Sequence, residues 1–358
     1  MTIFTIEKLY KAYKDCLKHK KNTINALKFE LNREKNLINL LKDLETRKYK
    51  ISRHICFVVT EPTPREIFAA DFRDRIVHHL LYNEIKDLFE SNFIDESYAN
   101  RTGKGTHKAV KSLKYNMVRG GINGERLYFL KMDIKGFFRS INKDILFDLV
   151  KKGVLNSKKL EQEKREIIWL VEKIIYNDPT KNYCFKGNVN LKKVVPSSKS
   201  LFFGEKQKGL PIGNLTSQFF ANVYLNELDH FVKEELCFCR YLRYVDDFII
   251  LDEDYNKLEK AEKTIEGFLF EKLKLLISKD KVFIKPVSSG IDFLGYFIKP
   301  THTLVRRKVV RRFKRKMYDN MDREDGFYPI EFSSVIISYF GHFKYANSYN
   351  LIQKIKEF

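Results

Sequence analysis

Three aspartates have the residue type and the spacing that could do chemistry. Asp246 and Asp247 are adjacent in the apolar stretch RYVDDFIIL, and Asp133 ends the stretch FLKMD. Two carboxylates side by side in a core strand are unfavourable, because burial and mutual repulsion both oppose ionisation. Carboxylates at the ends of adjacent strands are, however, the oxygen ligands that Mg²⁺ takes, and a pair of ions promotes phosphoryl transfer. The pattern predicts such a site; the alternative for an isolated DD pair is a solvent-exposed turn.

Strands must position these aspartates. Residues 126–138 (RLYFLKMDIKGFF) predict a strand that ends in a turn at Gly136. Residues 238–253 (FCRYLRYVDDFIILDE) predict a hairpin with its turn at or near Asp246–Asp247. Helical patterns alternate with such hairpins along the chain, which indicates an α+β architecture.

The other segments follow helical, strand or loop patterns. We predict helices within 1–50, 65–90, 209–232 and 261–275, a strand in 54–62, a glycine-punctuated basic loop at 100–107, a hairpin-like strand at 292–298, and a Lys-rich helical and loop insertion without clear period at 151–208. The candidate caps of the 209–232 helix are Asn214, Thr216 and Ser217.

Composition limits the class of partner. The 358 residues include 67 Lys and Arg against 46 Asp and Glu, a net charge of +21. This excess favours a polyanion, nucleic acid before an anionic membrane, with a merely soluble basic protein as the alternative. No apolar run reaches the roughly 18–20 residues of a membrane span, and the N-terminal stretch is charged too early for a signal peptide. The five cysteines form no CxxC pair, so we expect a reduced, cytoplasmic protein without a zinc site, disulfide framework or membrane partner.

The order of the motifs resembles a reverse transcriptase. The stretches SYANRTGKGTH, FLKMDIKGFFRSI, GLPIGNLTSQFFANVYLNELD, RYVDDFIIL, LKLLISKDKVFI and IDFLGYFI are similar to the successive blocks of that family. The resemblance implies a right-hand polymerase fold with an antiparallel palm sheet, encoded by a bacterium, archaeon or phage, with template RNA, cDNA or primer, and dNTPs as partners. It implies an N-terminal basic helical extension (1–60), fingers (61–130), a palm (131–300, with the 151–208 insertion and a primer-grip hairpin at 292–298) and a helical thumb (301–358).

The resemblance also implies metal and substrate contacts. Asp133 and Asp246 match the two main ligands of two Mg²⁺ ions, for which Mn²⁺ substitutes, and Asp247 matches the weaker third carboxylate. The main chain that follows Asp133 would touch the metal at Ile134 and the triphosphate as far as Phe137.

Four more residues resemble dNTP-binding positions. Phe138 matches the aromatic wall beneath the sugar, where a ring would clash with a 2′-hydroxyl; its alternative is a core phenylalanine. Arg101 and Lys104 are candidates to neutralise the triphosphate, or else are simple surface charge. Lys281 matches a lysine near the leaving pyrophosphate.

The segment GLPIGNLTSQ departs from most reverse transcriptases, which have glutamine at the position of Ile212 and proline at that of Gln218. This variant is similar to the enzymes of diversity-generating retroelements, which miscopy template adenines and work with a small basic oligomeric accessory variability protein. Together with Gly213, these residues are expected at the nascent base pair. An apolar Ile212 removes a hydrogen-bonding group there, which would relax discrimination against mispairs. A group II intron- or retron-like reverse transcriptase is the alternative.

A basic stretch near the end of the chain predicts a nucleic-acid surface. Residues 306–317 (RRKVVRRFKRKM) place Val309, Phe313 and Met317 every four residues among eight basic residues. One stripe can dock while the basic face tracks phosphates; the alternative is a solvated helix. The expected nucleic-acid contacts are Leu294, Gly295 and Tyr296 of the primer grip and Arg306, Arg307, Arg311, Arg312 and Arg315.

Two other functions compete with RNA-dependent DNA synthesis. A catalytically silent RNA-binding scaffold would not need the intact aspartates, and an RNA-synthesising polymerase would not need the ring of Phe138.

Overall fold

The computed structural model describes residues 2–18, 20–120, 126–320 and 330–356. The chain forms two units and passes between them several times. The first unit holds residues 1–95, 134–231 and 265–278, and the second holds 96–133, 232–264 and 279–358. The four-part division expected from the sequence stays a prediction; its fingers and thumb ranges include 121–125 and 321–329, which lie outside the described residues.

The helices confirm most of the helical predictions. They are α1 Ile6–Leu17, α2 Ile24–Glu30, α3 Arg33–Glu45, α4 Phe72–Glu90, α5 Thr106–Arg119, α6 Phe137–Ser140, α7 Lys143–Leu155, α8 Glu161–Ile175, α9 Leu215–His230, α10 Tyr255–Leu273, α11 Arg307–Asn320, α12 Ile330–Phe343 and α13 Tyr349–Lys356. Among the helices described, none combines the length and the apolar content that crossing a membrane requires.

The strands form three small sheets. They are β1 His54–Val59, β2 Arg65–Ala69, β3 Tyr128–Asp133, β4 Tyr183–Phe185, β5 Tyr241–Tyr244, β6 Asp247–Asp252, β7 Phe283–Pro286, β8 Ile291–Phe293, β9 Tyr296–Ile298 and β10 Thr303–Val305. The first unit contains the sheet β2-β1-β4, and the second contains β5-β6-β3-β7 and β10-β9-β8.

The sheet β5-β6-β3-β7 is antiparallel throughout. Its strand β6 is apolar from Phe248 to Leu251, and these four residues are at most 1% exposed. A continuous apolar run is what a strand buried on both faces requires. In sequence, helices precede and follow the strands of this antiparallel sheet, which confirms the expected α+β class.

Helix α9 is largely buried within the first unit. Eleven of its 16 residues are buried, and four of these eleven are polar. Phe219 packs edge-on against the rings of Tyr82 and Phe89 on α4, with ring centroids 5.3 and 5.9 Å away. Asn214 precedes α9 as its N-cap residue, one of the three caps expected.

The helix predicted for 65–90 was wrong over its first residues. Residues 65–69 form β2, which pairs antiparallel with β1 from Ile55↔Ala69 to Val59↔Arg65. Helix α4 begins only after Asp71, whose carboxylate accepts a hydrogen bond from the Arg73 N–H at 3.0 Å. This N-cap was the local signal for the boundary.

The 151–208 segment is more regular than its sequence indicated. Its first residues complete α7, and α8 buries Ile167, Leu170, Val171 and Ile174 at helical spacing, so the absence of a clear period was wrong there. Strand β4 then extends the first sheet by pairing in parallel with β1.

The C-terminal helices of the second unit share a hydrophobic cluster. Phe313 and Met317 of α11 are buried, and Val309 packs against the same cluster. The ring of Phe313 packs edge-on against Phe343 of α12 at 5.5 Å. The apolar stripe predicted for residues 306–317 is therefore confirmed.

Candidate functional site

The three aspartates lie on neighbouring strands of the sheet β5-β6-β3-β7. Asp133 ends β3 and pairs directly with Asp247, the first residue of β6. Asp246 lies in the two-residue turn between β5 and β6. Opposed residues of antiparallel strands have Cβ atoms roughly 4.5–5.5 Å apart, so the sheet brings these carboxylates together. All three are half-buried, which excludes the solvent-exposed turn. We call Asp133, Asp246 and Asp247 the carboxylate cluster.

A buried arginine holds the turn that carries Asp246. Arg243 is fully buried, and its guanidinium donates to the Val245 carbonyl at 3.0 Å and to the Ser97 hydroxyl at 3.1 Å. Val245 has a φ of +57°, an outlier for a β-branched residue. Such strain costs on the order of 1–3 kcal/mol and persists only where surrounding contacts impose it. Arg243 therefore sets the position of Asp246, a role that the sequence did not reveal.

The electrostatics of the cluster disfavour three simultaneous negative charges. Burial, and next the nearby carboxylate of Asp133, raise the pKa of Asp246 to about 7. Burial also raises the pKa of Asp247, against the opposing effect of the Lys131 ammonium. The cluster is thus a site that added positive charge would stabilise.

Two lysines provide part of that charge. The Lys281 ammonium donates to Asp133 Oδ1 at 2.7 Å, so this predicted residue does reach the cluster. Lys131 was not predicted; its ammonium lies 3.1 Å from Asp247 Oδ2 and donates to the Asp292 carbonyl at 2.7 Å. Lys131 is two residues before Asp133 on β3, so the alternation of the strand was the signal that could have identified it.

The donor set of the cluster fits Mg²⁺. All three side chains offer carboxylate oxygens, and Asp247 Oδ1 is buried without a hydrogen-bond partner in the described structure. A buried unpaired acceptor is unfavourable unless something else satisfies it. Within the described residues, no three Asp, Glu, His or Cys side chains already converge as a metal site would require, and two of these carboxylates face lysines instead.

Arg101 and Lys104, which lie in the second unit, have partners of their own. The Arg101 guanidinium donates to the Ser97 carbonyl at 3.0 Å. The Lys104 ammonium lies 5.4 Å from the ring centre of Tyr98. Both side chains remain half-exposed, and their binding of a triphosphate stays a prediction.

The residues that follow strand β3 belong to the first unit. The Ile134 side chain is buried, and its main chain forms a bridge with Ile277. The ring of Phe137 is buried, which leaves only its main chain for the expected contact with a triphosphate. Phe138 is half-buried, and its carbonyl accepts a hydrogen bond from the Leu210 N–H at 2.8 Å. It is therefore not a fully buried core residue.

In the segment 209–218 of the first unit, the residues expected at the nascent base pair remain accessible to solvent. Ile212 and Gln218 are half-exposed. The Ile212 carbonyl accepts from the Phe68 N–H at 2.9 Å. Gly213 has a φ of +123°, and a Cβ there would lie 2.8 Å from the Ile67 side chain, so only glycine fits this close approach.

The hairpin expected to be the primer grip is formed by β8 and β9. Strands β8 and β9 flank a turn at Leu294–Gly295, with φ values of +49° and +89°. Tyr296 is fully buried, its hydroxyl donates to the His342 carbonyl at 2.8 Å, and its ring stacks on that of His342. The ring of Tyr296 is thus covered by His342 of α12, and contact of Leu294, Gly295 and Tyr296 with nucleic acid stays a prediction.

The arginines of the basic stretch 306–317 differ in their surroundings. Arg306 precedes α11 and forms an ion pair with Asp292. Arg307, Arg311 and Arg315 are exposed on α11, whereas Arg312 is half-buried. Their contact with nucleic acid stays a prediction.

A family model matches most of the chain. The model for reverse transcriptase (RNA-dependent DNA polymerase) matches residues 61–298. Among solved structures, apo telomerase from Candida tropicalis, truncated from its C-terminal domain, is similar with a TM-score of 0.51 at 14% identity, covering 71% of this chain and 55% of that chain. This likeness shows the fold alone, and together with the family match it confirms the right-hand polymerase fold.

Three curated relatives add detail. The chain is 22% identical to protein YkfC of Escherichia coli (strain K12), covering 66% of this chain and 62% of that protein. It is 21% identical to the group II intron-encoded protein LtrA of Lactococcus lactis subsp. cremoris, with 74% and 49% covered. It is 22% identical to nuclear intron maturase 1, mitochondrial, of Arabidopsis thaliana, with 63% and 40% covered. The chain spans about two fifths to three fifths of the length of these relatives.

Proposed function

The chain belongs to the reverse transcriptase family, and we propose that it is an RNA-directed DNA polymerase that copies a template RNA into cDNA. The observation that carries this proposal is the pairing of Asp133 with Asp247 on adjacent strands, with Asp246 in the turn beside them. Three half-buried carboxylates held by a sheet are suited to nucleotidyl transfer and have no evident use in a protein that only binds RNA.

The chain's own groups divide the work in this proposal. Asp133, Asp246 and Asp247 would hold Mg²⁺, which when bound supplies Lewis-acid stabilisation of the charge that develops on the reacting oxygens. Arg243 fixes the turn of Asp246, and Lys131 holds the carboxylate of Asp247. Lys281, whose side chain is about half exposed, is available to shift from Asp133 to the phosphates of a substrate.

A primer-extension assay tests the activity. With an RNA template, a DNA primer and Mg²⁺, we expect extension by dNTPs and much weaker extension by NTPs, because the half-buried ring of Phe138 would exclude a 2′-hydroxyl. Phe138→Ala should then increase NTP use. An Asp246→Ala protein that retains its fold should not extend the primer. Extension by that variant, or none by the wild type with any template and primer, would contradict the proposal.

The relatives favour a group II intron-like lineage within the family. Two of the three proteins above carry intron in their names, a group II intron-encoded protein and an intron maturase. We therefore propose that the chain is a group II intron-like reverse transcriptase, and we expect it to copy an RNA template without errors concentrated at adenines.

A mutagenic copying enzyme of the diversity-generating type is the second candidate. The observation in its favour is the half-exposed pair Ile212 and Gln218, at positions where most reverse transcriptases have glutamine and proline. This candidate implies a small basic oligomeric accessory protein. Because this chain and the accessory protein would both be positively charged, RNA could bridge them.

Sequencing of cDNA separates the two candidates. A defined RNA template should be copied with errors concentrated at adenines if the second candidate holds, with or without the accessory protein. Ile212→Gln should then lower the error rate opposite adenine, whereas Ile212→Val, which stays apolar, should not. Faithful copying by the wild type would exclude mutagenic copying and retain the intron-like proposal.

A further inference from the structure

A second charged surface lies outside the residues discussed so far. Residues 181–208, which we call the lysine segment, contain seven lysines and one acidic residue, Glu205. Glu205 is already paired with Lys208 at 2.7 Å. Across the described parts of the chain, the exposed lysines 186, 193, 199 and 206 form no salt bridge. Uncompensated surface charge of one sign attracts a partner of the opposite sign.

Aromatic and apolar side chains are exposed among these lysines. Phe203 is 65% exposed, and Val189 and Val194 are 62% and 51% exposed. A phenyl ring surrounded by lysines is the arrangement by which proteins bind single-stranded nucleic acid, since bases stack on the ring while ammonium groups contact phosphates. Simple solubility would not require the ring.

The lysine segment is held in place before any partner binds. The Lys192 ammonium lies 4.7 Å from the ring centres of both Tyr183 and Phe185, and it donates to the Tyr183 hydroxyl at 3.0 Å. Glu66, which is only 5% exposed, accepts from the Ser200 hydroxyl at 2.6 Å and from the next main-chain N–H. A preformed surface loses little conformational entropy on binding.

The lysine segment is also attached to the turn that follows strand β3 in the chain. Gly136 has a φ of +55°, and a Cβ there would lie 2.9 Å from the Ser198 carbonyl oxygen. The Arg139 guanidinium donates to the carbonyls of Ser198 and Phe203. Gly136 follows Asp133 by three residues, so the segment is anchored to the part of the chain that leaves the carboxylate cluster.

We propose that the lysine segment binds single-stranded RNA, with Phe203 stacking on a base and Lys193 and Lys199 contacting phosphates. Unpaired bases are favoured over a duplex, because a duplex already stacks its bases and leaves no face for the ring. This proposal rests on the proposed polymerase function in one point, because that function identifies the bound RNA as the unpaired part of the template.

Binding measured without dNTPs tests the surface separately from catalysis. The full chain and a Phe203→Ala/Lys193→Ala/Lys199→Ala variant are titrated by fluorescence anisotropy with an unstructured 20-nucleotide RNA, a DNA of the same sequence and a blunt RNA–DNA hybrid. We expect the variant to bind the RNA about 10- to 100-fold more weakly, as the loss of one stacked base and two phosphate contacts implies. Its slope of log K against log salt should fall by about 1.4, and hybrid binding should stay within about twofold.

Helix α10 offers a matched control. It carries four lysines and four glutamates, and its Phe270 is 58% exposed. Phe270→Ala/Lys263→Ala/Lys272→Ala removes one exposed ring and two lysines from a surface without excess charge, and it should leave RNA binding unchanged. Within the segment, Phe203→Tyr should retain affinity and Phe203→Leu, which is apolar but not flat, should lose it.

The outcomes separate the proposal from its competitors. Equal weakening on RNA and on DNA of the same sequence supports a single-strand surface that reads phosphates and bases. Unchanged RNA binding, equal weakening on the blunt hybrid, or equal weakening by the α10 control would overturn it. If the wild type binds RNA through this surface but extends no primer, the polymerase proposal fails alone.

Discussion

The carboxylate cluster and the lysine segment differ in whether their charged side chains have counter-charges within the chain. In the cluster, the chain supplies counter-charges of its own, from Lys281 to Asp133 and from Lys131 to Asp247. In the lysine segment, four exposed lysines of the described structure have no acidic partner. Charge that is partly offset by neighbouring groups of the chain helps to hold a site in shape, whereas charge with no counter-charge nearby is available to a partner. Changes in the cluster should therefore alter the reaction, and changes in the lysine segment should alter affinity and its response to salt.

The largest effect should come from the cluster itself. Asp246→Asn preserves size but removes a metal-binding charge, and we expect extension to fall by about 1,000-fold or more, since such charge stabilisation is worth several kcal/mol. RNA affinity should not change. A steady-state extension assay alongside anisotropy titration measures both, and an equal loss of the two would show that the cluster also determines RNA affinity.

The same substitution predicts a pH effect on stability without metal. The pKa of Asp246 is raised from 3.8 to about 7, so this group stabilises the fold fully below pH about 4 and loses that contribution as pH rises to 7. Relative to wild type, metal-free Asp246→Asn should gain thermal stability between pH 4 and pH 8. Melting curves in a chelator measure this, and parallel curves for the two proteins would contradict it.

Lys131 should have the next largest effect, as a positioning residue. Its ammonium holds Asp247 Oδ2 and the Asp292 carbonyl, and groups that orient metal ligands typically contribute 10- to 100-fold. Lys131→Met should lower extension by about that factor and raise the Mg²⁺ concentration needed for half-maximal rate. A purely structural role would lower the melting temperature without changing the Mg²⁺ requirement.

Lys285 provides the control for Lys131. It lies on the neighbouring strand β7, opposite Phe129, and is exposed. Lys285→Met removes the same charge from the same sheet and should leave the Mg²⁺ requirement unchanged. Lys131→Arg should restore part of the lost rate, because it keeps the charge but not the shape of the ammonium.

Helix α11 should show a third, smaller effect of a different kind. Its arginines surround a buried stripe of Phe313 and Met317, and its exposed ring, Tyr318, stays in place when only arginines are changed. Arg307→Ala/Arg311→Ala should weaken the blunt hybrid and the single strand similarly, with a salt slope lower by roughly 1–2. A loss confined to single-stranded RNA would mean that α11 and the lysine segment do not differ in the form of nucleic acid they bind.

Local patterns explain which parts were predictable. Strand β3 and the hairpin β5–β6 are defined by apolar runs and turn residues within a few positions, and so is the stripe of α11. Strand β2 was missed because pairing with β1, and not a local sequence pattern, determines that residues 65–69 are extended. The aspartates were identifiable because few other functions place carboxylates at strand ends.

Partners that are distant in sequence explain what could not be predicted. Arg243 acts through Ser97, a residue 146 positions away, and Lys131 reaches Asp292, which is 161 positions away. Tyr296 was assigned to nucleic acid because nothing near it in sequence shows that His342 covers it. The amino-acid type indicated a charge or a ring in each case, but only the tertiary contact determines whether that group faces solvent.

The smallest effect on activity is expected at a buried histidine that lies outside the carboxylate cluster and outside the lysine segment. His78 on α4 is buried, and its Nδ1 lies 2.6 Å from the Thr216 hydroxyl. Burial, and then the nearby His54, His79 and Arg75, lower its pKa from 6.5 to about 3. Because its folded pKa is depressed, its neutral form stabilises the fold above pH 6.5, and that contribution, up to about 4 kcal/mol, is lost as pH falls towards 3.

His78→Gln should therefore leave extension and RNA binding at pH 7.5 within about twofold, since the site never carries a charge there. It should flatten the decline in stability between pH 6.5 and pH 3, measured by urea unfolding at several pH values. An unchanged pH dependence would show that the fold accommodates a protonated His78. In that case a buried side chain of this protein could become charged without a counter-charge, unlike the carboxylates of the cluster, which lie beside lysines.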